Sequence, residues 1–353
     1  MTVARFAHEG VSTRVVFGLG ARHGLADELD RLGLSQVMLI ASGSSRAEAD
    51  ALVTLLDHRL TWRVDGVHHH VPAELAEQVT ADAARVGADG VVSLGGGSAT
   101  GLGKAVARSG LPLVAVPTTY AGSEMTPVWG VTTGRHKETG RDPQVLPKTV
   151  VYDPELTFSL PPLVTAASGM NAVAHCLEAL WAARASPLSG PLALDGARAL
   201  CEALPAAVAE PWNPEFRSRA LVGACQGGMA LAAAGTGVHH RLCHVLGGRY
   251  DMPHAQTHAV LLPHVVGFNE PMLGALAARM AIAVGSGRAS TGLHDLAVRM
   301  GLGMALSELG MPESAIDEVA AEVAADTPPN PRPVDEAGLR SLLRAAWEGD
   351  GPG

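Results

Sequence analysis

The residues best placed to do chemistry are histidines. Six of the 15 fall between positions 239 and 264: His239, His240, His244, His254, His258 and His264. Another, His175, follows Asn171 by four residues. A spacing of four puts two side chains on one helix face, so Asn171 pairs with His175 and His240 with His244. His254 follows the glycines at 247–248 and the Asp251-Met252-Pro253 turn, which lets the chain fold back toward the same site. Imidazoles converging from separate helices suit a divalent metal, or acid–base chemistry with anion binding. Hydrogen-bonded core packing explains any single histidine, but this density favours a site. Asn171 bears on the choice. A hard or borderline cation wants an anionic ligand, and a set of Asn171, His175, His240 and His254 is formally neutral. Three histidines can hold a metal, yet metal-free function is the stronger expectation. His68, His69 and His70 precede a Val-Pro turn without a periodic partner and read as a loop that binds metal only adventitiously.

A second set of residues suits a phosphate. Gly95, Gly96, Gly97 and Ser98 follow an expected strand and open an expected helix over 99–107. Glycines let backbone N–H groups approach an anion, and the helix N-terminus adds partial positive charge. Lys104, further along that helix, is either solvated or a charge near phosphate or substrate. Thr118, Thr119, Tyr120 and Ser123 follow the next strand, where open α/β sheets bind ligands and where hydroxyls also cap helices. After the strand at 36–40 the chain reads Ala-Ser-Gly-Ser-Ser-Arg, with no acidic residue for ribose hydroxyls. Gly43, Ser44 and Arg46 would tolerate a 2′-phosphate, which points to NADPH or to use of both nicotinamides.

These segments need a scaffold. Short β-rich runs at 13–17, 36–40, 60–67, 90–94 and 113–116 alternate with helical patterns at 21–34, 46–59, 72–86 and 99–107. That alternation implies a parallel sheet wrapped by helices. Beyond Asp153-Pro154, Ala-, Leu- and Arg-rich periodic segments dominate. The expected organisation is an α/β, Rossmann-like domain over 1–154 and an all-helical domain over 155–353. The proline-rich tract at 328–333 is a linker before a last helix. Residues 220–238 run without a charge and read as a close-packed core helix with its flanking loop, a membrane helix being the remote alternative.

Composition narrows the function classes. A net charge of −9 argues against nucleic-acid or anionic-membrane partners, which need a basic face. An acidic substrate would need a local positive pocket, for which Arg241, next to the histidines, is the first candidate. Lys137 and Arg141 are weaker ones. Four cysteines without CxxC spacing, and an N-terminus without an apolar run, fit a reduced, cytoplasmic protein.

Several passages together resemble the iron-containing alcohol dehydrogenase superfamily and, within it, the maleylacetate reductase family. They are the Gly-Gly-Gly-Ser loop, PTTYAGSEMTPVWGVTTG at 117–134, TGRDPQVLPKTVVYDPEL at 139–156, SGMNAVAHCLEALWA at 168–182, GVHHRLCHVLGG at 237–248 and the tail at 330–349. The similarity spans nearly the whole chain. It implies a two-domain, dehydroquinate-synthase-like fold with nucleotide and substrate in the cleft between the domains. The superfamily's Asp-His-His-His metal pattern falls on Asn171, His175, His240 and His254, so its acid is replaced by an amide. Metal-independent maleylacetate reductases carry that Asn, and the resemblance therefore implies no metal requirement. It places His244 near the nicotinamide, the pyrophosphate on the loop of Gly96, Gly97 and Ser98, and a second cofactor contact on Thr118, Thr119 and Ser123.

The implied reaction reduces the carbon–carbon double bond of maleylacetate to 3-oxoadipate with NADH or NADPH, in aromatic-compound degradation by a homodimer. His244 is the expected proton donor. His175, His240 and His254 are expected oxyanion and carboxylate donors. Arg241, Asn171 and Tyr120 are expected substrate contacts. Metal-dependent reduction of an aldehyde, action on another unsaturated diacid or keto acid, and nucleotide binding without catalysis are the alternatives.

Overall fold

The computed structural model describes residues 6–67, 71–134 and 136–353; the His68–His70 run lies outside the described residues. Contacts divide the chain into two units. One comprises Val11–Leu160 and Trp212–Leu221; the other comprises, of the described residues, 6–10, Pro161–Pro211 and Val222–Gly353. A single cut after residue 154 misses the return of 212–221 to the first unit, because that segment forms the start of a helix that continues in the second.

The first unit runs β1 (Arg14–Phe17), α1 (Leu25–Leu32), β2 (Val37–Ala41), α2 (Arg46–Leu56), β3 (Leu60–Val64), α3 (Ala73–Arg85), β4 (Gly90–Gly95), α4 (Gly97–Ala107), β5 (Leu113–Pro117), β6 (Val128–Thr133), β7 (His136–Arg141) and β8 (Thr149–Tyr152). Six strands form one sheet in the order β1-β8-β5-β4-β2-β3, with every pairing parallel. Both faces are covered, as a parallel sheet requires. Val37, Leu39 and Ala41 of β2 join Val92, Leu94, Val114 and Val116 in one core with α1 and α2. Met38 and Ile40 point the other way and join Val91, Leu102, Val106 and Leu113. Strand side chains alternate between faces, so one apolar run serves two layers.

From β2 the chain moves outward to β3, and from β4 it moves the opposite way to β5. The order therefore reverses between β2 and β4, and such switch points are where open α/β sheets receive ligands. Two elements escape the pattern reading. β8 is only four residues, and it inserts between β1 and β5. The β6–β7 hairpin is antiparallel and half exposed, without an apolar period. Trp129 lies opposite Gly140, where a Cβ would come within 2.6 Å of the indole. The aromatic ring covers the glycine and pins the register.

The second unit is helical: α5 (Pro162–Ala179), α6 (Ser189–Ala209), α7 (Pro214–Ala234), α8 (Val238–Tyr250), α9 (His254–Leu273), α10 (Ala275–Val284), α11 (Ala289–Arg299), α12 (Ala315–Ala325) and α13 (Glu336–Glu348). The uncharged run splits between the end of α7 and the start of α8, whose axes differ by 100°. Among the described residues no single helix is long and apolar enough to cross a membrane. Glycines explain the close packing there. A Cβ on Gly169 would come within 2.2 Å of Leu204, and one on Gly227 within 2.8 Å of the Cys176 sulfur. Val238, Leu242, Val245 and Leu246 of α8 pack with Val260, Leu261 and Val265 of α9 and with Ile316, Val319 and Val323 of α12. That packing fixes the helix carrying three of the histidines.

Candidate active site

In the α/β unit the ends of β2, β4 and β5 form a cradle of backbone and hydroxyls. Gly96 caps α4 with no side-chain hydrogen bond, which leaves the first N–H groups of the helix to a ligand. Gly97 is exposed at the helix start. Gly95 has φ +142°, a region L side chains rarely adopt, and a Cβ there would lie 2.7 Å from the Ser42 hydroxyl. A Cβ on Gly96 would meet Thr119 at 3.0 Å. The Thr118 N–H donates to the Gly95 carbonyl at 3.0 Å, so the glycine loop and the second loop are joined. The Ser42 hydroxyl lies 3.3 Å from that of Ser44 and donates to Ser45 at 2.9 Å, and Ser45 lies 3.4 Å from Thr118 Oγ1. Gly43 and Ser44 are exposed in a turn without an acidic residue. A helix N-terminus free of carboxylates fits a dinucleotide pyrophosphate, and the residues present fit the nicotinamide cofactor.

Two residues expected at ligands are committed elsewhere. Lys104 is fully buried. Its Nζ donates to the Ser123 carbonyl at 2.6 Å, the Val128 carbonyl at 2.8 Å and Thr126 Oγ1 at 3.0 Å, with Ser123 Oγ at 3.3 Å. An ammonium has three N–H donors, and these acceptors use all of them, so the charge does not face the glycine loop. Tyr120 is fully buried, and its hydroxyl accepts from Arg217 Nη1 at 3.1 Å. That pair is buried in the core of the α/β unit. Arg141 is in β7, and the side chain of Lys137 lies outside the described residues.

The helical unit gathers the histidines. His175 and His240 stack with centroids 5.2 Å apart. His240 lies 6.1 Å from His244, which lies 6.3 Å from His254. The expected set therefore converges, with Asn171 one turn before His175 on α5 and 5% exposed. Two further members come from the same run. The His258 ring is 4.4 Å from His254 and 4.8 Å from both His240 and His239. Its Nδ1 shares a 2.8 Å hydrogen bond with His239 Nε2. His175 Nδ1, His240 Nε2 and His258 Nε2 are buried without a hydrogen-bond partner among the described residues. Unpaired buried polar atoms cost about 1–3 kcal/mol each, so this concentration marks a place for a polar guest.

Glu178 organises the cluster. It lies one turn beyond His175 on α5 and is fully buried. One carboxylate oxygen accepts the His239 N–H at 2.7 Å, anchoring the start of α8, and the other pairs with His240 Nδ1. Burial raises its pKa, but the neighbouring His240 charge and hydrogen bond outweigh that and bring it to about 2. Burial pushes His239 down to about 3 and His175 and His258 well below their ordinary range. The i+3 spacing from His175 to Glu178 was visible in the sequence. The partnership with His240 was not, because it joins different helices.

Among the described residues this donor set offers a divalent cation no uncommitted carboxylate. Asn171 is neutral, and the one buried carboxylate of the cluster is engaged by His240 and the His239 N–H. A second group, His239, Cys243 and His258, has ligand atoms within 4.8 Å of one another. Its two imidazole nitrogens are bonded to each other, and burial pushes the Cys243 thiol well above its ordinary pKa. Arg241 borders a pocket of about 230 Å³ with Thr236, Gly237, His244, Asp326, Thr327 and Pro328. Its Nη2 is 3.5 Å from both Glu322 and Asp326, so it is loosely held.

Comparison with known proteins matches the same two halves. Residues 12–154 match the iron-containing alcohol dehydrogenase family model, and residues 165–347 match the C-terminal model of the Fe-containing alcohol dehydrogenase family. The chain is 45% identical to a maleylacetate reductase of Burkholderia cepacia over 349 residues, covering 98% of this chain and 99% of that one. It is 42% identical to a maleylacetate reductase of Sphingobium indicum, covering 98% of each. The crystal structure of a maleylacetate reductase from Rhizobium sp. superposes with a TM-score of 0.94 at 42% identity, covering 99% of this chain and 100% of that one.

Proposed function

We propose a reaction scheme from one premise: the chain belongs to the iron-containing alcohol dehydrogenase family, among its maleylacetate reductases, and reduces the carbon–carbon double bond of maleylacetate to 3-oxoadipate with a reduced nicotinamide. The double bond is conjugated to a ketone, and the bound nicotinamide supplies hydride to the carbon β to it. Negative charge then develops on the ketone oxygen, and the α carbon must be protonated.

The residues divide this work. Glu178 engages His240 Nδ1 and fixes the ring, which leaves His240 Nε2 as the contact for the developing enolate oxygen. His175 and His254 complete the oxyanion and carboxylate contacts, with Asn171 as a neutral amide contact. His244, between His240 and His254 and bordering the Arg241 pocket, protonates carbon. Arg241 holds a substrate carboxylate, the loose contacts to Glu322 and Asp326 leaving it able to turn. Residues 43–44, 95–98, 118–119 and 123 hold the cofactor. The open, acid-free turn at Ser44 supports use of NADPH as well as NADH.

The observation that carries the metal-free reading is a neutral Asn171 one turn before His175, with the buried Glu178 already committed to His240. Further parts of the proposal are a homodimer, supported by exposed Val15 and Phe17 on the edge strand β1 and Leu19 just beyond it, and a cytoplasmic setting, supported by free cysteines. The activity test is loss of reduced-nicotinamide absorbance with freshly prepared maleylacetate, with 3-oxoadipate identified as product. Oxidation with simple aldehydes but none with maleylacetate would leave the fold right and the chemistry wrong.

A further inference from the structure

We propose that Lys104 is a positioning residue for the nicotinamide cofactor, its buried side chain holding the 118–128 loop in the shape that receives the dinucleotide. The inference rests on the cofactor reading above. Lys104 is on α4, the helix whose first residues form the glycine cradle. All its acceptors belong to the segment 123–128, downstream of Thr118 and Thr119. One ammonium therefore ties the two cofactor-facing segments together, and the Thr118–Gly95 backbone hydrogen bond ties them at the other end. The helix itself cannot shift to compensate. A Cβ on Gly103 would come within 3.0 Å of Leu113 and 3.2 Å of Ser93, so α4 lies hard against the sheet.

Burial lowers the Lys104 pKa to about 7, the charge of Glu124 opposing the drop. Burial pushes Glu124 up, while the Tyr152 hydroxyl donates to it at 2.7 Å and lowers it. Of the other elements packed against α4, β2, β4, β5, β6 and the turn Pro143–Val145 contribute no charged side chain. Those of α3, Glu74, Glu77, Asp82 and Arg85, are exposed or half-buried. A neutral amine has two N–H groups for these acceptors, so the loop loosens as pH rises through neutrality.

The test titrates the full chain with NADH, whose phosphates do not ionise between pH 6 and 9, and reads Kd apart from turnover. Lys104→Met should raise the NADH Kd tenfold or more while turnover at saturating NADH stays within about threefold. Thr126→Val removes one acceptor in an extended segment that suits valine (φ −118°, ψ 147°) and should raise Kd about threefold. This variant keeps the test decisive if Lys104→Met does not fold. Wild-type Kd should rise from pH 6 to 9 and that of Lys104→Met should not. An unchanged Kd in either folded variant, or a wild-type pH dependence retained in Lys104→Met, overturns the assignment. Wild-type protein that binds NADH but leaves maleylacetate untouched defeats the substrate reading alone. Wild-type protein that binds no NADH defeats the cofactor reading and this inference with it.

Discussion

The cofactor cradle and the histidine cluster are built from opposite materials. The cradle is backbone and hydroxyl: its glycines are needed because a Cβ would strike Ser42 or Thr119, and Lys104 of the same helix donates to Ser123, Thr126 and Val128. The cluster is side chain throughout, with six imidazoles, an amide and a buried carboxylate from three helices. The contrast shows where fragility lies. The cluster should fail when one side chain is truncated. The cradle should fail when a methyl group is added.

Glu178→Ala tests that contrast most severely. Removing one partner of a buried charged pair costs about 3–5 kcal/mol, so thermal unfolding should show a large loss of stability. The pH dependence gives the sign. A folded-state pKa of about 2, below the ordinary carboxylate value, means that Glu178 stabilises the fold above the ordinary value. That contribution disappears as pH falls through about 2, and it is worth about 3 kcal/mol by linkage. The variant should lose this part of the acid limb.

His244→Ala comes next. If its donor acts in the transition state it should lower kcat by about 10²–10³, or 2.7–4 kcal/mol. The nicotinamide Kd should stay close to wild type, and an unchanged kcat removes His244 from the mechanism. Gly95→Ala is the converse in the cradle and the smallest effect. A side chain at φ +142° should cost about 1–3 kcal/mol of strain. It should weaken NADH binding while leaving kcat at saturation nearly intact. A large kcat loss there would blur the distinction between the two regions.

The same difference governs what the sequence disclosed. Glycine spacing after a strand marked the cradle, because a tight approach by backbone demands residues without a Cβ. Alternation of apolar runs and helical periods disclosed β1 to β5, most plainly β2, β4 and β5, whose residues are buried throughout. It missed β8, too short to show a period, and the β6–β7 hairpin, too polar. Histidine density marked the cluster, but pairings between helices carry no spacing signal. His240 with Glu178 and His239 with His258 therefore emerged only from the fold. Lys104 and Tyr120 show the limit in the other direction: both stand beside a ligand loop in the sequence, and only the fold shows them buried with hydrogen-bond partners inside their own unit.

The most direct test of the account is the rate of NADH or NADPH oxidation with fresh maleylacetate before and after exhaustive chelation, with metal content measured on the same sample. The neutral Asn171 set and the committed Glu178 predict an unchanged rate in metal-free protein. Loss of activity on chelation, restored by iron(II) or zinc, would contradict it.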